Sequence, residues 1–276
     1  MMAGPLAKLI GFKYISNDKK RMISSGEGNF IRRRKFFVFF ALTAFVTLGS
    51  RPEATFGRTG KESQAMDGQT KKHVILLGAS IGRAWNISSL PERMRTDDYV
   101  FEYVDGGSFD KSAKLREILT RRENKPDAVF LKECAAYFPG DIDLYKSLME
   151  EWIRECYESG TIPIPTTIVP VTRLHSFKKI LIDAAKGRKP FGYGNPFKHK
   201  RNAAILEYNN WIKVYCQKKG LPFLDLEAAV RYSEKNRFLR ENLAKADGLH
   251  INGKAYNILD QIVISTLKKV NWEKKK

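Results

Sequence analysis

The chain predicts a three-layer α/β/α sandwich around a parallel sheet. Two patterns carry that expectation. From Lys72 onward, short apolar runs of strand length alternate with longer amphipathic stretches, as a βαβ chain reads. Gly, Pro and Asp bound the runs, while the longer stretches repeat their apolar residues at helical intervals. About 200 residues follow this pattern, enough for one domain with its own core.

Val74-Ile75-Leu76-Leu77 is a fully buried first strand, because an unbroken apolar run has no solvent face. Tyr99–Val104 is β-branched and aromatic, and Asp105-Gly106-Gly107 stops it. Ser112–Arg122 is a short helix with Leu115, Ile118 and Leu119 on one face. Pro126-Asp127 opens the next strand, Ala128–Leu131. Leu144–Ser159 is a helix with Leu148, Trp152 and Cys156 at a spacing of four, ended by Gly160. Thr161–Val169 is an apolar strand whose Pro163 and Pro165 place it at an edge or an irregular position. Asn202–Lys219 is a helix striped by Ile205, Tyr208, Trp211, Ile212 and Tyr215, and Gly220 ends it. Leu221–Leu226 is the fifth strand, and Ile258–Leu267 the last helix. Residues 172–200 hold Arg173, Lys178, Lys179, Arg188, Lys189, Lys198 and Lys200 among Gly and Pro. They read as a long basic excursion, either a lid or binding loop or an ordinary surface insertion. No internal repeat is visible.

The first 71 residues read differently. Arg32-Arg33-Arg34-Lys35 precedes a 14-residue apolar stretch, Phe36–Gly49. That length suits a signal-peptide core and falls short of the ~20 residues that span a bilayer comfortably. The charge order predicts that the following domain is exported, to a periplasmic or cell-envelope location. Arg33-Arg34-Lys35-Phe36-Phe37 loosely resembles a twin-arginine export signal. Pro52-Glu53-Ala54 makes a poor cleavage site, so an uncleaved membrane anchor through residues 36–49 is the alternative, and Met22 offers a later start with a more usual leader. The organisation is then residues 1–54 as signal peptide or anchor, 55–71 as a polar linker, 72–270 as the domain and 271–276 as a basic tail.

The formal net charge is +19, of which +7 belongs to residues 1–54 and +12 to the remainder. Such an excess predicts attraction to polyanions such as lipid headgroups or acidic glycans, or a generally basic surface. No zinc-finger, RNA-binding or basic-zipper pattern accompanies it, so nucleic acid is not an expected partner. Cys134, Cys156 and Cys216 form an odd set without metal-ligand spacing, which argues against a disulfide framework. Cys134 and Cys216 sit in apolar settings and read as small buried hydrophobes. His73, His175 and His199 are scattered away from acidic ligand patterns. No metal site is expected.

Two short motifs carry the chemistry. Gly78-Ala79-Ser80 places a hydroxyl where the first strand ends, and open α/β sheets bind ligands at the carboxyl ends of their strands. Asp247-Gly248-Leu249-His250 places a carboxylate and an imidazole three residues apart, just before the last helix. Together they supply nucleophile, base and orienting acid for attack on an acyl carbon. Right-handed crossovers bring Ser80, Gly107, Lys132–Cys134 and the segment after Val169 to one crevice, with Asp247 and His250 on a loop able to fold over it.

With these motifs in this order, about 170 residues apart, residues 72–270 resemble the SGNH (GDSL-like) hydrolase superfamily. Gly78-Ala79-Ser80 stands where that family has Gly-Asp-Ser, and the run from Asp247 to Tyr256 and the strand Gly220–Asp225 look typical of it. The resemblance implies a flavodoxin-like fold and cofactor-free cleavage of carboxylic esters or O-acyl groups on a small molecule, glycan or lipid. Ser80, Asp247 and His250 would be the catalytic residues, with the amides of Ser80 and Gly107 as the oxyanion hole. Two alternatives stay open: an extracytoplasmic polysaccharide O-acetyltransferase, and a non-catalytic glycan-binding relative. The chain departs from the family in the third block, where Lys132-Glu133-Cys134 replaces Gly-x-Asn and the oxyanion asparagine is missing. Either Lys132 or a backbone amide substitutes for it, or the chain is a poor catalyst; as an alternative role, Lys132 and Glu133 form a simple ion pair at the strand end.

Overall fold

The computed structural model describes residues 70–192 and 195–273. Alternation along the first strand, β1 (Lys72–Gly78), decides the layering. Its side chains point alternately to opposite faces. Val74 and Leu76 enter one core, and Ile75 and Leu77 enter a second. The apolar run is therefore buried on both sides, as its sequence predicts.

The chain continues through α1 (Ser80–Trp85), α2 (Leu90–Met94), β2 (Tyr99–Asp105), α3 (Ser112–Leu119) and β3 (Ala128–Leu131). Then come α4 (Ile142–Glu158), β4 (Ile162–Pro165), α5 (Arg173–Ala185) and a hairpin of β5 (Phe191–Gly192) with β6 (Asn195–His199). The last helices are α6 (Lys200–Lys219), α7 (Leu226–Val230) and α8 (Gly253–Leu267). The main sheet is parallel in the order β2-β1-β3-β4. Helices α1, α2, α7 and α8 pack on the Val74–Leu76 face, and α3, α4 and α6 on the Ile75–Leu77 face. This is the expected three-layer sandwich, and its strand order is flavodoxin-like.

Several expectations change in the structure: the strand expected over Thr161–Val169 is confined to Ile162–Pro165, and the last helix begins at Gly253 and not at Ile258. The fifth strand shrinks to one parallel bridge, Thr166 to Leu224, with Leu224 donating to Pro165 and accepting from Thr167. Pro222 has no N–H to give a ladder, and Asp225 is drawn away as the N-cap of α7, accepting from Ala228. The excursion at 172–200 is structured: it forms α5 and the β5–β6 hairpin. Thr172 starts α5 by accepting from the His175 amide at 3.1 Å, an N-cap that satisfies an otherwise orphan donor.

Among the described residues no helix is long and apolar enough to cross a membrane. The expectations for the leader, most of the linker and the end of the basic tail fall outside the described residues.

Candidate active site

The site lies at the carboxyl ends of β1 and β3, where the sheet's winding changes direction and a crevice opens by construction. Ser80 begins α1 immediately after β1 and is exposed. Two tyrosine hydroxyls hold the backbone around it. Tyr103 donates to the carbonyl of Ala79 and Tyr256 to that of Ile81, each at 3.2 Å. Gly82 allows this closeness, because a β-carbon there would stand 2.8 Å from the Tyr103 ring. Behind the serine, Trp85 is buried and donates to Asp260 at 2.8 Å, and Arg93 clamps the same carboxylate at 2.7 and 3.0 Å. This joint ties α1 to α8, the helix that follows the aspartate and histidine.

The second motif is a closed loop. Ala244 bridges Ile251, Lys245 donates to the His250 carbonyl, and Gly248 donates back to Lys245. Asn252 caps α8 through Ala255. Within the loop, one Asp247 oxygen accepts from the amides of Leu249 and His250, both at 2.9 Å. The other meets His250 Nδ1 at 2.6 Å. Burial opposes ionisation of this carboxyl, but the donors on His250 and Leu249 outweigh it and bring it down to about 2. Asp247 is therefore a carboxylate across the neutral range. His250 Nε2 stands 3.3 Å from Ser80 Oγ. The order Asp247–His250–Ser80 joins residues 170 positions apart into one relay.

Gly107 sits just past β2 in a left-handed conformation (φ 69°). The neighbouring Gly106 amide donates to the Gly78 carbonyl at 2.7 Å, which tethers this turn to the end of β1. The Gly107 N–H itself donates to an Asp105 oxygen at 3.0 Å, and Asp105 also pairs with Arg83. To serve an oxyanion, Gly107 must share or release that carboxylate.

The third block differs from the simple ion pair expected between Lys132 and Glu133. Both are buried, but Glu133 pairs with Lys111 at 2.8 Å, and Lys132 Nζ donates to the Glu133 carbonyl at 3.0 Å. Lys111, 22 positions upstream, out-competes the adjacent residue because its chain runs under Gly106, between the Tyr137 and Trp152 rings. Burial pushes the Lys132 ammonium below the ordinary lysine range and the Glu133 carboxyl above the ordinary glutamate range. Of the three residues expected to line the site, Cys134 approaches Ser80: its thiol is 3.8 Å from Ser80 Oγ. All three cysteines are free and buried.

Sequence reading missed several contributors. Tyr103 carries no signal in the sequence beyond strand propensity, and Lys111 carries none. His175 proves to touch the relay: its Nδ1 meets the Asp247 carbonyl at 2.8 Å, and a β-carbon on Gly248 would strike Thr172 and His175. His199 has a carboxylate partner, Asp183, at 3.0 Å. Among the described residues no cluster of three or more His, Cys, Asp or Glu could hold a metal. A groove of about 910 Å³ between α4, α6 and α8 includes Ile162, where β4 begins, and none of the site residues. Residue chemistry, not cavity size, locates this site.

No protein-family model and no curated protein sequence matches the chain. Solved structures do match. A GDSL-like lipase from Bacteroides thetaiotaomicron is similar at 18% identity over 72% of this chain and 88% of its own, with a TM-score of 0.51. A candidate acylhydrolase from Bacteroides fragilis is similar at 18% identity over 76% and 99%, with a TM-score of 0.52. A protein solved as TesA is similar at 16% identity over 71% and 98%, with a TM-score of 0.50. The fold is that of the SGNH (GDSL-like) hydrolases.

Proposed function

We propose that this chain is a serine-dependent hydrolase of carboxylic esters or O-acyl groups, working through an acyl-enzyme. The observation that carries the reading is the relay itself: Ser80 Oγ within 3.3 Å of His250 Nε2, and His250 Nδ1 held at 2.6 Å by a carboxylate. Because Asp247 accepts at Nδ1, the imidazole keeps its proton there and leaves Nε2 unprotonated toward the serine. His250 then removes the Ser80 proton as Oγ attacks the acyl carbon, and returns it to the departing alkoxide. Water deacylates the serine by the same route in reverse.

Charge builds on the former carbonyl oxygen in each half. The Ser80 amide, in the first turn of α1, has no intrahelical acceptor and is one natural donor. The turn at Gly107 supplies a second amide once Asp105 yields it. Cys134, placed beside Ser80, offers only a weak S–H donor. Loss of one oxyanion donor typically lowers turnover by ~10²–10³, so we expect a modest catalyst. Similarity in fold to a GDSL-like lipase supports the reaction class without fixing the substrate.

The preferred substrate in this reading is an acylated glycan or lipid outside the cytoplasm. Its support is the basic-then-apolar order of residues 32–49 and the net charge of +19. A fusion of residues 1–71 to a phosphatase active only after export tests that placement, and a silent fusion would reject it. The reaction is tested by fluorophosphonate labelling of the purified chain beside Ser80→Ala and His250→Ala, with p-nitrophenyl acetate turnover in parallel. Labelling and turnover present in the wild type and lost in both variants are expected. A folded wild type that neither labels nor turns over would move the assignment to a non-catalytic binding protein.

A further inference from the structure

Helix α5 is inside out. Its buried residues are Ser176 and Asp183, while Leu174, Phe177 and Leu181 are 55%, 55% and 54% exposed. At spacings of three and four, those three form one continuous stripe, and Ile182 (43%) extends it. A surface helix in water ordinarily turns such a stripe inward. Here polar partners hold the opposite face down. The Ser176 hydroxyl accepts from the His199 amide at 3.1 Å. Asp183 meets His199 Nε2 at 3.0 Å and Lys200 at 3.5 Å. Rolling the helix to bury its stripe would strip a buried carboxylate of both partners, which costs more than the stripe would return.

The surroundings indicate what would cover the stripe. Positions 173–201 contain nine Lys or Arg and a single acid, Asp183, which faces inward. Arg173, Lys178, Lys186, Arg188 and Lys189 are exposed on or just beyond the helix. An apolar stripe edged by cations suits a helix lying in the headgroup boundary of an anionic bilayer, where side chains enter the acyl region and lysines meet phosphates. An acidic glycan would engage the cations and leave the leucines in water.

We propose that the outer face of α5 docks on an anionic phospholipid surface. The helix is joined to the relay at its first turn: the Thr172 amide donates to the Gly248 carbonyl at 2.9 Å, and His175 meets the Asp247 carbonyl. Docking would therefore hold the loop carrying Asp247 and His250 next to the segment that meets the bilayer. Its bearing on catalysis rests on the hydrolase reading, whereas the docking does not.

The test uses the full chain with phosphatidylcholine vesicles, with and without phosphatidylglycerol. The first variant is Phe177→Trp, read by quenching from lipids brominated in their acyl chains, which reports insertion at α5 whatever other segments bind. The second is Leu174→Ser/Phe177→Ser/Leu181→Ser, read by hydrolysis of a vesicle-borne ester against soluble p-nitrophenyl acetate. The expected results are quenching of the introduced indole only with anionic vesicles, and at least a ~10-fold loss of vesicle-borne turnover with soluble turnover unchanged. Absence of quenching would overturn the proposal. So would a wild-type dimer that the triple variant dissociates, which would assign the stripe to a second copy. Equal loss of binding to an acidic polysaccharide would assign it to glycan. If the wild type cleaves no soluble ester, the hydrolase reading fails while quenching still decides the docking.

Discussion

Replacing Asp247 by asparagine separates the electrostatic role of this residue from its role in the loop. The carboxylate has two tasks on two oxygens. One oxygen accepts the Leu249 and His250 amides at 2.9 Å, and the other accepts from His250 Nδ1 at 2.6 Å. In Asp247→Asn the amide oxygen must stay with the two backbone donors, since flipping it would orphan both. The NH₂ group then faces His250 Nδ1 and forces the imidazole proton onto Nε2. Nε2, 3.3 Å from Ser80 Oγ, can no longer accept the serine proton. A buried triad aspartate changed in this way costs ~10⁴ in turnover. The Asp247 side chain is 49% exposed, so water can share its task. We therefore expect a loss of roughly 10³ in kcat/KM, about 4 kcal/mol of transition-state stabilisation. The assay is p-nitrophenyl acetate kinetics at neutral pH, where the wild-type carboxyl, at about 2, stays ionised. Thermal melting should show little change, because the loop keeps its two backbone bonds. Retention of more than a tenth of wild-type kcat/KM would refute the reasoning, since the imidazole tautomer would not then depend on Asp247.

Two further outcomes follow from the same geometry. Gly248→Ala puts a β-carbon on Thr172 and 2.8 Å from His175 Cβ at a φ of 67°. It should cost about 1–3 kcal/mol in urea denaturation and lower ester turnover, while Gly253→Ala, which meets open space, should do neither. Glu133→Ala removes the carboxylate partner of a buried Lys111 and should cost about 3–5 kcal/mol. Thermal melting would register this as roughly a 10 °C drop, and a variant melting with the wild type would show the pair to be dispensable.

Much of the architecture and the relay could be read from local pattern. An unbroken Val-Ile-Leu-Leu run must be buried on both faces, so β1 and its position between two helical layers follow from hydrophobicity alone. Periodic stripes defined α4 and α6 to within two residues at each end, since Trp152, Tyr208 and Ile212 repeat with the helix. Ser80, Asp247 and His250 were legible because each lies in a short motif whose context, strand end or helix start, is itself local. Local pattern did not reach features set by competition between distant groups. Glu133 takes Lys111 and not its neighbour Lys132 because a path beneath Gly106 leads one ammonium to it. Pro222 and the capping Asp225 decide that the fifth strand dissolves into a single bridge. Residues 172–200 read as a basic excursion; that Arg173–Ala185 form a helix, and which face it buries, emerges only with Ser176 and Asp183 meeting His199 across the hairpin. Hydrophobic periodicity measures how a segment would partition between water and a core. Which face wins is a tertiary outcome, because buried polar partners outweigh that preference wherever they are available.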